Sequence, residues 1–186
     1  VLDALTNYYV TSNANVHRGV HLLSEIATEA HEAARGKVRR FFNASSTREI
    51  IFTRNSTEGI NLVAQSFGRR RVQAGDEVLM PDPSYPCNRQ FVSMAEGRAV
   101  LIPSTAAERF QLSAAKVREA WGARTRGVLL ASPSNPTGTS IHPRELARIH
   151  DVVAERGGVT LIDEIYLGLS YEDTYSHSAL ALGDQI

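Results

Sequence analysis

The sequence predicts an α/β fold of three layers, α/β/α, with a mainly parallel sheet in the middle. Three observations carry that expectation. Short apolar runs alternate with stretches of helical period along most of the chain, the pattern of a parallel sheet covered by helices on both faces. The 186 residues are 42% hydrophobic and 22% charged, which is ordinary for a globular domain with a sizeable core. Polar or proline-rich segments follow the apolar runs, at the strand ends where open α/β sheets hold ligands.

Taken in order, Leu23, Ile26, Ala27, Ala30, Ala34, Val38 and Phe41 recur at steps of three and four residues and predict one long amphipathic helix over 22–42. A polar break, Asn43 to Thr47, precedes the apolar run Ile50-Ile51-Phe52, which reads as a short strand. After a polar turn at Arg54 to Thr57, a helix is expected through Ile60, Val63, Ala64 and Phe67, closed by Gly68. Further strands are expected at Glu77 to Met80, Arg98 to Ile102, Gly127 to Ala131 and Val159 to Ile162, with helical stretches between them. Of these the clearest starts at Pro143, a favourable first helical residue, and stops at Gly157-Gly158. No repeat, low-complexity tract or linker interrupts the pattern, so a single domain over 1–186 is expected.

Charge excludes some function classes. Lys+Arg and Asp+Glu each number 20, so no net field draws the protein to nucleic acid or to an anionic membrane, and a small-molecule partner fits better. The single Cys87 excludes an intrachain disulfide. No apolar run is long enough to span a bilayer and the first residues do not read as a leader, so a cytoplasmic location is expected and two glycosylation sequons are read as accidental. Only Lys37 and Lys116 among the 20 cationic residues are lysines.

Four segments that follow strands carry the candidate chemistry. In Arg54-Asn55-Ser56-Thr57-Glu58-Gly59, hydroxyls and free N–H groups open a helix and suit a phosphate, although simple capping uses the same residues. Pro81 to Asn88 places Tyr85 at a stiff turn, where its ring can stack on a flat cofactor or merely cover the edge of the core. The other two are Ser132-Pro133-Ser134-Asn135-Pro136-Thr137-Gly138 and Thr160 to Tyr166, which holds Asp163 and Glu164. His17 and His21 stand four apart without a flanking acidic third ligand and read as loop or helix residues, with no metal site assigned. A nucleotide hydrolase is excluded because Gly36-Lys37-Val38 lacks both the phosphate loop and the hydroxyl.

The last two segments, with Asp82-Pro83-Ser84-Tyr85-Pro86 before them, resemble class I/II aminotransferases of pyridoxal-phosphate fold type I over residues from about 75 to 186. Residues 1 to about 75 resemble instead a cysteine desulfurase, class V of the same superfamily, through Asn13 to His21 and Arg48 to Thr53. The expectation is a partial large domain of the pyridoxal-phosphate-dependent transferase fold, joined near 72–77 as a chimera or engineered fragment. The resemblance implies cofactor-binding roles: Asp163 at the pyridine nitrogen, Tyr166 and Asn135 at the phenolic oxygen, Tyr85 stacked on the ring, Ser56 and Thr57 at the phosphate. It also implies cis peptide bonds at Asp82-Pro83 and Asn135-Pro136.

In aminotransferases of this kind the chain after a segment like Gly183-Asp184-Gln185-Ile186 continues into two more strands and a Ser-x-x-Lys motif, whose lysine binds the cofactor covalently. Neither Lys37 nor Lys116 matches that position, and Cys87 does not match the desulfurase cysteine. The chain is therefore expected to hold pyridoxal 5'-phosphate weakly and non-covalently, with no catalytic residue of its own. The other reading is a non-catalytic scaffold without cofactor. Without the two further strands, Ile50 to Phe52 is expected either to pair with Thr160 to Ile162 or to leave open edges that a second copy covers, making a homo-oligomer.

Overall fold

The computed structural model describes residues 1–19 and 21–182. Val20, the segment Gly183-Asp184-Gln185-Ile186 and the side chain of Phe67 lie outside the described residues. The chain divides into two compact units, Val1–Phe52 and Thr53–Ile186.

The first unit holds α1 (Leu2–Thr11) and α2 (Leu22–Phe41). The long helix forms where the periodicity places it. His21 caps it, Nδ1 accepting the Ser24 N–H at 3.3 Å, and Ser24 and Ala27 are its buried residues. The segment before it is tied down by hydroxyls. Ser24 Oγ donates to Asn15 O at 2.6 Å, and Thr28 Oγ1 accepts the His17 N–H at 2.8 Å.

The expected strand at Ile50 to Phe52 does not form. A capping box at Ser46 and Glu49 winds Thr47–Glu49 into a 3-10 turn. The Arg35 guanidinium then takes Thr47 O at 2.7 Å and Ile50 O at 3.1 Å, the latter an acceptor that a strand ladder would need. Ile50 is buried, but Ile51 is 66% exposed and Phe52 48%, so the run is not buried along its length as a strand would be.

The second unit opens with α3 (Ser56–Leu62), which passes through a π-turn at Val63–Gly68 into the short α4 (Arg69–Arg71). Asn55 Oδ1 caps α3 by accepting the Glu58 N–H at 2.9 Å. Gly68 does not close the helix as expected. It keeps helical torsions, φ −56° and ψ −52°, and a Cβ there would lie 3.4 Å from Ala95 Cβ. The missing side chain serves close packing, not a stop.

The rest follows as β1 (Glu77–Asp82), α5 (Pro86–Met94), β2 (Arg98–Pro103), α6 (Ala114–Ala120), β3 (Thr125–Ala131), α7 (Pro143–Ala154) and β4 (Val159–Asp163). All strand pairs are parallel, in the order β2-β1-β3-β4, with Leu79 opposite Val100 and Val128, and Val128 opposite Thr160. Alternate residues serve opposite faces. Leu79, Val128 and Leu130 pack with Val117, Ile149 and Val153 from α6 and α7. Val78, Met80 and Leu129 pack with Val92 from α5. This is the three-layer α/β/α arrangement. Because β2 and β3 leave β1 on opposite sides, the switch point lies between β1 and β3, and ligands of such sheets bind beyond the strands' carboxyl ends there. On the outer side of β4 no strand is paired among the described residues. No helix among them is long and apolar enough to cross a membrane.

The turn after β2 carries a pH-sensitive contact. Glu108 Oε1 lies 2.6 Å from Lys116 Nζ, while Oε2 accepts the Thr105 N–H at 2.8 Å. The hydrogen bond from Lys116, followed by that from the Thr105 backbone, lowers the Glu108 carboxyl from 4.5 to about 2. A depressed carboxyl stabilises the fold above its unfolded value, and that contribution disappears as pH falls through about 2. A carboxyl-resolved NMR titration is expected to place Glu108 near 2 and to return it toward 4.5 in Lys116→Met. An ordinary midpoint in the unaltered protein would show that the pair does not form.

Candidate functional site

The carboxyl ends of β1, β3 and β4 carry three of the four segments singled out in the sequence, and α3 opens with the fourth. Asp82-Pro83 and Asn135-Pro136 are cis, as expected, and Ser132-Pro133 is cis as well. The loop after β3 is fastened to the sheet. Ser132 N–H donates to Asp163 O at 3.0 Å, continuing the β3–β4 ladder by one bond, and Ser132 Oγ accepts the Ile141 N–H at 3.0 Å. Gln111 Nε2 reaches Ala131 O at 3.2 Å and Thr139 O at 2.8 Å, holding both ends of the Asn135 loop.

Two cavities open at this rim. One, of about 280 Å³, is lined by Ser56 and Gly59 from α3, Asn88 and Phe91 from α5, and Leu161 and Asp163 from β4. Asp163 is half-buried, and its Oδ1 accepts the Ile165 N–H at 3.0 Å, which fixes the carboxylate. The other, of about 510 Å³, brings Asn135 and Tyr166 together with Arg109, Ser140, Glu172 and Tyr175. Arg109 Nη1 donates to the Tyr175 hydroxyl at 3.0 Å.

Tyr85 lines neither cavity. It stands immediately before α5, whose first residue is Pro86, and is 39% exposed, against 37% for Tyr166. The polar Cys87 side chain and the negative charge it carries as a thiolate, then partial burial and the nearby Tyr166, raise the Tyr85 hydroxyl above its ordinary value. Of the six residues expected to hold a cofactor, Ser56 and Asp163 share one cavity and Asn135 and Tyr166 the other. Thr57 lines neither cavity.

Asn88 went unassigned in the sequence. It is 4% exposed, lines the Asp163 cavity, and its side chain makes no hydrogen bond within the described residues. The signal was its place three residues after Tyr85, one helical turn into α5. Glu164, beside Asp163, holds the following loop in place, since its Oε1 accepts the Ala179 N–H and its Oε2 the Ser178 hydroxyl, both at 2.7 Å.

Comparison with known proteins gives the following. The family model described as aminotransferase class-V matches residues 1–165, across the junction expected near 72–77. A probable cysteine desulfurase of Vibrio cholerae is 38% identical over 167 residues, 88% of this chain and 40% of that protein. One from Synechocystis is 58% identical over 79 residues, 42% of this chain and 19% of that protein. Among solved structures, an aminotransferase from Mycobacterium tuberculosis superposes with a TM-score of 0.73 at 28% identity, covering 96% of this chain and 43% of that one. The cysteine desulfurase CsdA of Escherichia coli gives 0.66 at 30% identity, covering 87% and 40%. The chain spans about two fifths of the length of the first curated relatives it matches.

Proposed function

Since the chain belongs to the aminotransferase class-V family, we propose that residues 53–182 are the ring- and phosphate-holding side of a pyridoxal-phosphate site in an aminotransferase-like protein. Members of this family and cysteine desulfurases depend on pyridoxal phosphate, which supplies an electron sink for bond breaking at the substrate's α carbon. The observation that carries the reading is the cavity shared by Ser56 and Asp163. The donor set fits the group: a fixed carboxylate and a hydroxyl line one cavity with apolar walls, and the Asn88 amide adds a polar group to it.

In this reading the Asp163 carboxylate favours a protonated pyridine nitrogen, because an adjacent negative charge stabilises the cation. Tyr85 would cover the ring face, Asn135 and Tyr166 would hydrogen-bond the phenolic oxygen, and the Ser56 hydroxyl would hold the phosphate, with Thr57, outside both cavities, contributing only next to it in the chain. Neither lysine of the 186 residues takes part. Lys116 Nζ is engaged by Glu108 at 2.6 Å and by Pro103 O at 2.7 Å, and Lys37 is exposed on α2. These residues by themselves therefore hold the cofactor reversibly.

Absorbance titration with pyridoxal phosphate, followed by borohydride reduction and peptide mass mapping, tests this. Saturable binding is expected, with substoichiometric label spread over Lys37, Lys116 and the amino terminus. One saturating label would overturn the non-covalent part of the reading. Absence of saturable binding would favour a scaffold without cofactor.

A further inference from the structure

We propose that His17, His31 and Glu32 form a binding site for a divalent cation of the zinc type, which clips the segment before α2 to the helix. The three donor atoms, one per residue, lie within 4.8 Å of one another. Glu32 Oε1 is the hub, 3.2 Å from His17 Nε2 and 3.4 Å from His31 Nδ1. Metal bonds of 2.0–2.2 Å in a tetrahedron put neighbouring donors about 3.3–3.5 Å apart, so both spacings already suit a shared ion. Small side-chain rotations bring the two imidazoles into the same range.

The convergence is not one that helix geometry provides. Consecutive residues on a helix do not ordinarily face each other, yet the His31 ring and the Glu32 carboxylate meet. His17 comes from outside the helix, with a left-handed φ of 57°. It is carried there by its own backbone: the His17 N–H donates to Thr28 Oγ1 at 2.8 Å, and Thr28 Oγ1 donates to Ser24 O at 2.7 Å. The rings of His17 and His31 stand edge to face at 5.6 Å, and Phe52 packs edge-on against His31 at 5.5 Å, which restricts that ring.

Arg35 supplies the outer partner that ligating carboxylates commonly have. Its Nη1 lies 3.0 Å from Oε1 and 3.1 Å from Oε2 of Glu32, and its Nη2 is anchored on Thr47 O. The guanidinium's charge also opposes the cation's, which makes this a modest site. Two nitrogens and one carboxylate oxygen suit zinc, and the half-exposed His17 leaves room for water as a fourth ligand. His21 is not part of the set, since its Nδ1 caps α2.

Bridging residues 17 and 31 stabilises the folded first unit by mass action, because the donors converge only when it is folded. Calorimetric titration of the whole chain with Zn2+, and the visible spectrum with Co2+, are expected to show one equivalent bound with tetrahedral bands. His17→Ala, His31→Ala and Glu32→Gln should each weaken binding by at least about tenfold, the lower end of what loss of an outer partner alone costs. His177→Ala should leave it unchanged. Ring-proton NMR of the unaltered protein guards against misfolded variants, with zinc expected to shift His17 and His31 and to leave His142, His150 and His177 in place. Saturable binding absent up to about 1 mM metal, or shifts at other histidines, would show that the cluster is an ion pair only.

Discussion

Asp163→Ala is expected to weaken pyridoxal phosphate binding by roughly 10- to 150-fold, the equivalent of about 1.5–3 kcal/mol for a hydrogen bond to a charged partner. The effect should be specific to binding. The Asp163 side chain's hydrogen bond within the described residues is the one it accepts from the Ile165 N–H, so its removal leaves the sheet intact. Asp163→Asn keeps an acceptor for that N–H and loses only the charge. It separates the electrostatic role from a packing role: binding near that of the alanine variant assigns the effect to the carboxylate's charge. Glu164→Ala makes the contrast, because it frees the Ala179 N–H and the Ser178 hydroxyl and should lower the urea midpoint. If Asp163→Ala bound the cofactor as the unaltered protein does, the carboxylate would not face the ring.

Gly127→Ala is expected to be the most destabilising of the small substitutions, at about 3 kcal/mol or more. Gly127 lies opposite Val159 where β3 begins its pairing with β4, and a Cβ there would collide with the carbonyl oxygen of Val159. That atom belongs to the backbone of a paired strand, so relief requires β4 itself to move. The melting temperature should fall by roughly 6–12 °C for a chain of this size. Since β4 ends at Asp163, cofactor binding should weaken with it. Gly157→Ala is the control. Its φ of 65° imposes strain of about 1–2 kcal/mol, but no atom lies within 4 Å, and the turn it occupies carries no site residue. Equal effects of the two substitutions would mean that the β3–β4 approach is looser than described.

The four strands of the sheet were legible because each is a continuous apolar run, and the rim residues because such sheets bind ligands where those runs end. The ends were less legible. β1 continues through Pro81 to Asp82 and β4 reaches Asp163, since a parallel ladder follows backbone hydrogen bonds and not hydropathy. Ile50 to Phe52 misled for a related reason: three apolar residues say nothing about their partners, and the guanidinium that takes the Ile50 carbonyl belongs to Arg35. Gly68 carried a stop signal whose cause was the packing of Ala95. The grouping of His17 with His31 and Glu32 was invisible in sequence, because it depends on side chains brought together only by folding, whereas Asn88 had only the weak signal of its place one helical turn after Tyr85. Ser56 and Asp163, 107 positions apart, were brought together only through family resemblance; both line one cavity.

A crystal structure of the chain grown with pyridoxal phosphate tests the central claim most directly. The account predicts density in the cavity of Ser56, Asn88 and Asp163, with the pyridine nitrogen at hydrogen-bonding distance from the Asp163 carboxylate, the phosphate against Ser56, and no continuous density to Lys37 or Lys116. Density elsewhere on the surface, or an empty cavity at saturating cofactor, would contradict it.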